Sequence, residues 1–211
     1  GQALRYFNGS TKPIFVGGAE LLALLGSDEP GRPPVPIGPV TVRDGGRVSL
    51  EGVSIVGKEN GVSCKGASSL VRILSSTLSG ATDAAVFAED CSLFIDRATI
   101  EDNQGRALSI LGRGSLCMRS SMVKNNVSRS GAAIRLWNTN EADNCFEDNA
   151  LINNQSSPGL PGAVECLPGI RRTLDSLYLR DNSRSNRIIA TDPRMQQISP
   201  DCRSVYLRDL L

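Results

Sequence analysis

Histidine is missing from all 211 residues, and no two cysteines stand in a C-x-x-C spacing. Together these absences remove the usual ligand set of a zinc site, so no metal or cofactor is expected. Formal charge is nearly balanced, at +1, and no basic run is interleaved with aromatics. A strong field toward nucleic acid or an anionic membrane is therefore not expected. Long apolar runs are lacking as well. The best candidate, Ala19 to Leu25, falls far short of the roughly 20 residues a membrane-spanning helix needs. The opening Gly1-Gln2-Ala3-Leu4-Arg5 has no apolar core of a secretory signal, as expected for a mature form or an excised domain.

What is present is a repeat. Ser176-Leu177-Tyr178-Leu179-Arg180-Asp181 returns as Ser204-Val205-Tyr206-Leu207-Arg208-Asp209. The same short strand and polar turn recur around Ile55, Leu78, Ile100, Val123 and Ile152. The steps from Ile55 through Leu207 are 23, 22, 23, 29, 27 and 28 residues. From Val40 onward each period holds three runs of β-formers separated by Gly, Asn, Asp and Ser, the pattern of short strands joined by tight turns. Around Ile100 these runs are roughly 85–88, 93–95 and 98–100. A leucine-rich repeat would need a leucine and asparagine frame that is missing. A β-sandwich would need longer strands and hairpins.

The expected architecture is all-β: one single-stranded, right-handed parallel β-helix of about six to seven coils over residues 40–211. Residues 1–39 are expected to form an N-terminal cap and a proline-rich connector. Gly18 to Gly26 (GAELLALLG) reads as its one helix, closed by Gly26. Pro30, Pro33, Pro34, Pro36 and Pro39 argue against helix and central strand in the connector. The chain stops soon after its Tyr206 strand. An uncapped β-helix end of that kind is expected to continue or to meet a partner.

Alternation sorts inside from outside. In the third strand of each period, Ser76, Ala98, Ser121 and Ala150 are expected to face inward, with Leu78, Ile100, Val123 and Ile152 as a second inward row. Thr77, Thr99, Met122, Leu151, Tyr178 and Tyr206 then face outward. In the first strand, Val62, Val86, Leu108, Ile134 and Val164 point in. Asp102, Asn125, Asn154 and Asp181 take matching places in the turn after the third strand, with Asn103 and Asn126 beside them. Asn and Asp tolerate left-handed backbone there, and stacked amides bond along the axis, so a structural corner is favoured over an anion or metal site. Cys64, Cys91 and Cys117 are expected as free, buried apolar residues. Cys145, Cys166 and Cys202 lie in looser repeats where one disulfide fits, its pairing left open.

The repeat resembles the right-handed β-helix superfamily of pectate lyases, polygalacturonases and surface adhesins. Gly131-Ala132-Ala133-Ile134 and Phe146-Glu147-Asp148-Asn149 are similar to motifs of chlamydial polymorphic membrane proteins, with Gly162-Ala163-Val164 a second echo. The resemblance implies surface attachment or assembly. A polygalacturonase-like enzyme would carry a histidine and aspartate motifs that this chain lacks. A pectate-lyase-like one would gather carboxylates around Ca²⁺, and the nearest set is Asp143, Glu147 and Asp148 with Arg135. Loop solvation explains that set, so no catalytic residue is expected.

The outward row Met122, Leu151, Tyr178 and Tyr206 grows more apolar along the chain. With coils about 4.8 Å apart, it would make one strip suited to a protein partner or larger assembly. The second candidate is carbohydrate, bound by Arg135 and Trp137 on the first-strand face. Asn8, Asn126 and Asn154 head N-x-[ST] sequons and are candidate glycosylation sites. The expectation is a non-catalytic structural or binding module, extracellular, at the cell surface or in an organelle lumen.

Overall fold

The computed structural model describes residues 3–6, 12–18, 20–26, 33–137, 145–158, 160–167, 183–184 and 187–189. Its strands are short, and alternate residues are buried, because each strand has one face on a common core and one face outward. All pairings are parallel and join residues one coil apart. The result is a parallel β-solenoid with three faces, built from two seven-stranded sheets and one eight-stranded sheet. No helix occurs among the described residues.

Five successive coils between Val40 and Ile152 form the body, and strands of further coils flank it at both ends. One coil shows the plan: Ala84–Glu89 lies in the first sheet, Ser92–Asp96 in the second and Thr99–Glu101 in the third. In-register columns fill the core. On the third sheet Ile37, Ile55, Leu78, Ile100, Val123 and Leu151 stack in one column, each at most 1% exposed. On the second sheet Leu24, Leu50, Ile73, Ile95, Met118 and Phe146 form a second buried column. The expected first-strand row of Val62, Val86, Leu108, Ile134 and Val164 is also buried and in register. Burying one such aliphatic side chain contributes about 1.5–3 kcal/mol.

Two sets of corners turn the chain. Between second and third strands, Ser75, Arg97, Ser120 and Asp148 have φ of 46°, 51°, 44° and 52°. After the third strand, Asp102, Asn125 and Asn153 have φ of 52°, 55° and 53°. Each left-handed residue aims its successor inward, and every successor except Ala98 is a Ser or Asn whose side chain caps the backbone of the preceding coil. Ser76 Oγ accepts from Val53 N–H at 3.2 Å, Ser121 Oγ from Ala98 N–H at 3.1 Å, and Asn149 Oδ1 from Ser121 N–H at 3.1 Å.

Asn103, Asn126 and Asn154 make the deeper ladder, all 4% exposed or less. Asn103 Nδ2 donates to Asn126 Oδ1 at 2.7 Å, and Asn126 Nδ2 donates to Asn154 Oδ1 at 2.9 Å. The structural corner of stacked amides is thus present. Its register differs from expectation: Asn154 stacks on Asn126, and Asn153 takes the left-handed place matching Asn125.

Three further expectations are corrected. Leu21–Leu25 is a strand, paired with Ala3–Tyr6 and Arg47–Glu51. Five residues are too few to offset helix nucleation, and two parallel partners satisfy their backbone instead. The coils also begin before Val40, since Ile14–Val16, Leu21–Leu25 and Val35–Ile37 each join one of the three sheets. Finally, Val123 pairs with Leu151, not Ile152, so the step there is 28 residues. A one-residue slip exchanges the two faces. Leu151 is therefore buried at 1%, and Asn149 replaces Ala150 in the inward row below Ser121.

Cys64, Cys91 and Cys117 are not free. Cys64 bonds to Cys91 and Cys117 to Cys145, with Cα–Cα separations of 6.0 and 4.3 Å. Each disulfide joins consecutive coils. Structural disulfides persist in a non-reducing environment. Among the described residues no helix is long and apolar enough to cross a membrane.

Candidate interaction surfaces

The outward row of the third sheet runs Pro36, Ser54, Thr77, Thr99, Met122 and Ala150 in register. Of the four residues expected to form an apolar strip there, Met122 takes its place and is half-buried. Leu151 faces the core, and Ala150 stands beside Met122 instead. Tyr178 and Tyr206 lie outside the described residues. On this face the structure brings together small hydroxyl side chains and one methionine.

Charge on the sheet faces follows the coil register. Lys65 meets Glu89 at 3.2 Å, Lys124 meets Glu101 at 2.9 Å, and Arg119 meets Glu147 at 3.2 Å. Every pair joins facing residues of adjacent strands. The hydrogen bond that Lys124 donates to Glu101, then the Glu101 charge, raises the Lys124 pKa above the ordinary lysine value. Cations also cover rings: Lys65 Nζ lies 5.2 Å from the Phe87 centroid, and the Arg72 guanidinium lies 5.8 Å from that of Phe94.

The two carbohydrate candidates have separate fates. Arg135 Nε donates to Glu165 Oε2 at 2.9 Å, and its Nη2 donates to the Ser130 carbonyl, also at 2.9 Å. The Arg106 guanidinium donates to that same carbonyl. Arg106 and Glu165 are both buried, and burial, followed by the Arg135 charge, lowers the Arg106 pKa, with Glu165 and Asp83 opposing. Gly131, at φ 131°, sits at the centre: a Cβ there would come within 2.6 Å of Glu165 Oε2 and 3.2 Å of both arginines. Arg135 is therefore engaged in holding the 129–133 turn. Trp137 is 42% exposed, in register with Leu111 and Leu167.

Sequence reasoning missed Arg106, Gly131 and Glu165 as one cluster. Glu165 carried a usable signal, because it occupies the same repeat phase as Arg135 with opposite charge. Among the lyase-type candidates, Glu147 pairs with Arg119 and Asp148 is a left-handed corner. Asp143 lies outside the described residues. Among the described residues no group of three or more Cys, Asp or Glu is placed to hold a metal.

The sequon asparagines Asn126 and Asn154 are 0% and 4% exposed, with their amides committed to the ladder. Attaching a glycan to either would break that ladder, so neither offers the exposed amide that a glycosylation site needs. Asn8 lies outside the described residues. Compared with known protein families, curated proteins and solved structures, the chain matches none.

Proposed function

We propose that the chain is a non-catalytic structural and binding module, a scaffold or adhesin-like subunit that meets a protein partner or larger assembly through an outer face of the solenoid. The supporting observation is where its charged side chains go. Glu89, Glu101, Glu147 and Glu165 each meet a cation from a neighbouring coil, so these carboxylates act as ties between coils. Inter-coil disulfides and amide ladders serve the same end. Such investment in rigidity suits a platform that presents a surface. The right-handed β-helix superfamily, including polymorphic-membrane-protein adhesins, is the proposed kinship, and an extracellular, cell-surface or organelle-lumen setting is the proposed location.

The face proposed for contact is the third sheet around Thr77, Thr99 and Met122. Size-exclusion chromatography with light scattering, on material isolated without stripping partners, tests the reading. The expected species exceeds the 22.5 kDa chain mass and crosslinks through a photoreactive residue at position 122. A monomer with no crosslink there would count against it. A carbohydrate-binding or lyase-type domain is the second reading, favoured by the exposed Trp137 ring. It predicts quenching of Trp137 fluorescence by a glycan.

A further inference from the structure

We infer that the Cys117–Cys145 bond is a reductant-operated latch on the coil running from Cys145 to Ile152. Cys145–Glu147 pairs with Ser115–Arg119 through Cys117–Cys145, Met118–Phe146 and Arg119–Glu147, so the disulfide closes one end of the described pairing. Cys117 and Cys145 face each other in register, with Cα atoms 4.3 Å apart. Around them the coil is also held by Phe146, which packs against Met118 in the core column, and by polar ties. Ser120 N–H donates to the Glu147 carbonyl at 3.0 Å, Arg119 meets Glu147 at 3.2 Å, and Ser121 N–H reaches Asn149 Oδ1 at 3.1 Å.

Access distinguishes this bond from the other described pair. Cys64 and Cys91 are both 0% exposed, so a reductant reaches them only when the native coils open. Cys117 lies on the outer face and is partly exposed, with Cys145 at 8%. Thiol–disulfide exchange needs a thiolate to approach one sulfur in line with the bond, so exposure decides which disulfide reacts first. The partner chemistry is a dithiol. One thiolate attacks Cys117 Sγ, the S–S bond breaks, and Cys145 leaves as a thiolate. The dithiol's second thiolate then attacks its own sulfur in the mixed disulfide and releases the Cys117 thiolate. The dithiol is oxidised to a disulfide, and its two electrons reduce the protein bond. In an oxidising setting the latch is shut, and passage into a reducing one opens it while Cys64–Cys91 still holds the earlier coils.

The test is a dithiothreitol titration of the full chain under native conditions, followed by alkylation, peptide mass spectrometry and hydrogen exchange. Cys117 and Cys145 are expected to alkylate at least an order of magnitude faster than Cys64 and Cys91, since the buried pair reacts only through opening. Over the same interval, amides of residues 146–152 should lose protection while those of 84–101 keep it. The double variant Cys117→Ser with Cys145→Ser should show that exchange pattern without reductant. Earlier or simultaneous alkylation of Cys64 and Cys91 would overturn the inference. So would unchanged protection of 146–152 in either the reduced protein or the double variant.

Discussion

Replacing Asn126 by aspartate changes one amide nitrogen to oxygen in the middle of the buried ladder. Asn126 Nδ2 donates to the carbonyls of Ile100 and Lys124, both at 3.0 Å, and to Asn154 Oδ1 at 2.9 Å. Its Oδ1 accepts from Asn103 N–H at 3.2 Å and from Asn103 Nδ2 at 2.7 Å. An aspartate keeps the accepting half and turns the donating half into an oxygen facing three oxygens. Two carbonyls, of Ile100 and Lys124, lose this donor, while Asn154 Oδ1 keeps the Asn126 N–H at 3.1 Å. At about 1–3 kcal/mol for each unsatisfied buried group, Asn126→Asp should cost about 2–6 kcal/mol at neutral pH.

Burial and the facing oxygens both disfavour the carboxylate, so the variant's folded pKa lies above its unfolded value of about 3.9. The sign follows: the folded state holds its proton more tightly, so lost stability returns as pH falls through the raised folded pKa toward the unfolded one. Protonation restores one donor. Urea unfolding followed by far-ultraviolet circular dichroism across pH, with Asn126→Ala as the uncharged control, measures both effects. Each variant is compared with the parent chain at the same pH. A loss under about 1 kcal/mol would mean that the ladder is not a buried, satisfied network. Failure of the aspartate variant to recover relative to alanine at low pH would show that the facing oxygens do not act as described.

Removing Cys64–Cys91 by a double alanine substitution should lower stability by about 3–4 kcal/mol, since a loop closed over 27 residues carries that chain entropy; thermal denaturation checks it. Gly131→Ala should cost about 1–3 kcal/mol, because alanine strains at φ 131° and its Cβ meets Glu165. That loss should appear as a lower urea midpoint. Lys124→Gln should lower the melting temperature at neutral pH. The raised Lys124 pKa makes the tie to Glu101 fully present below the ordinary lysine value, and its advantage disappears as pH rises through the raised one.

The solenoid was legible in the chain because Leu78, Ile100 and Val123 recur at steps of 22 and 23 residues with polar neighbours that fix which face is buried. Legibility failed where two apolar residues are adjacent. Leu151 and Ile152 both suit the core, and the longer step leaves parity open. The asparagine doublets carried the answer, since aligning Asn125-Asn126 with Asn153-Asn154 gives the observed step of 28. The helix expected at Gly18 to Gly26 failed for another reason: leucine and alanine favour a helix locally, whereas the strands that pair with Leu21–Leu25 come from elsewhere. Arg135 and Glu165 were legible as opposite charges at one phase. Arg106 and Gly131 were not, because the turn that joins them lies in an insertion between Ser128 and Ile134 that breaks the repeat.

The register of the third sheet decides both the core and the face offered to a partner. Methyl nuclear Overhauser contacts in the intact chain test it most directly. They should connect Leu78 to Ile100, Ile100 to Val123 and Val123 to Leu151 in one buried column, with the Leu151 methyls shielded from a soluble paramagnetic probe. Contacts from Val123 to Ile152, with Leu151 bleached by the probe, would contradict the account and restore Leu151 to the outer strip.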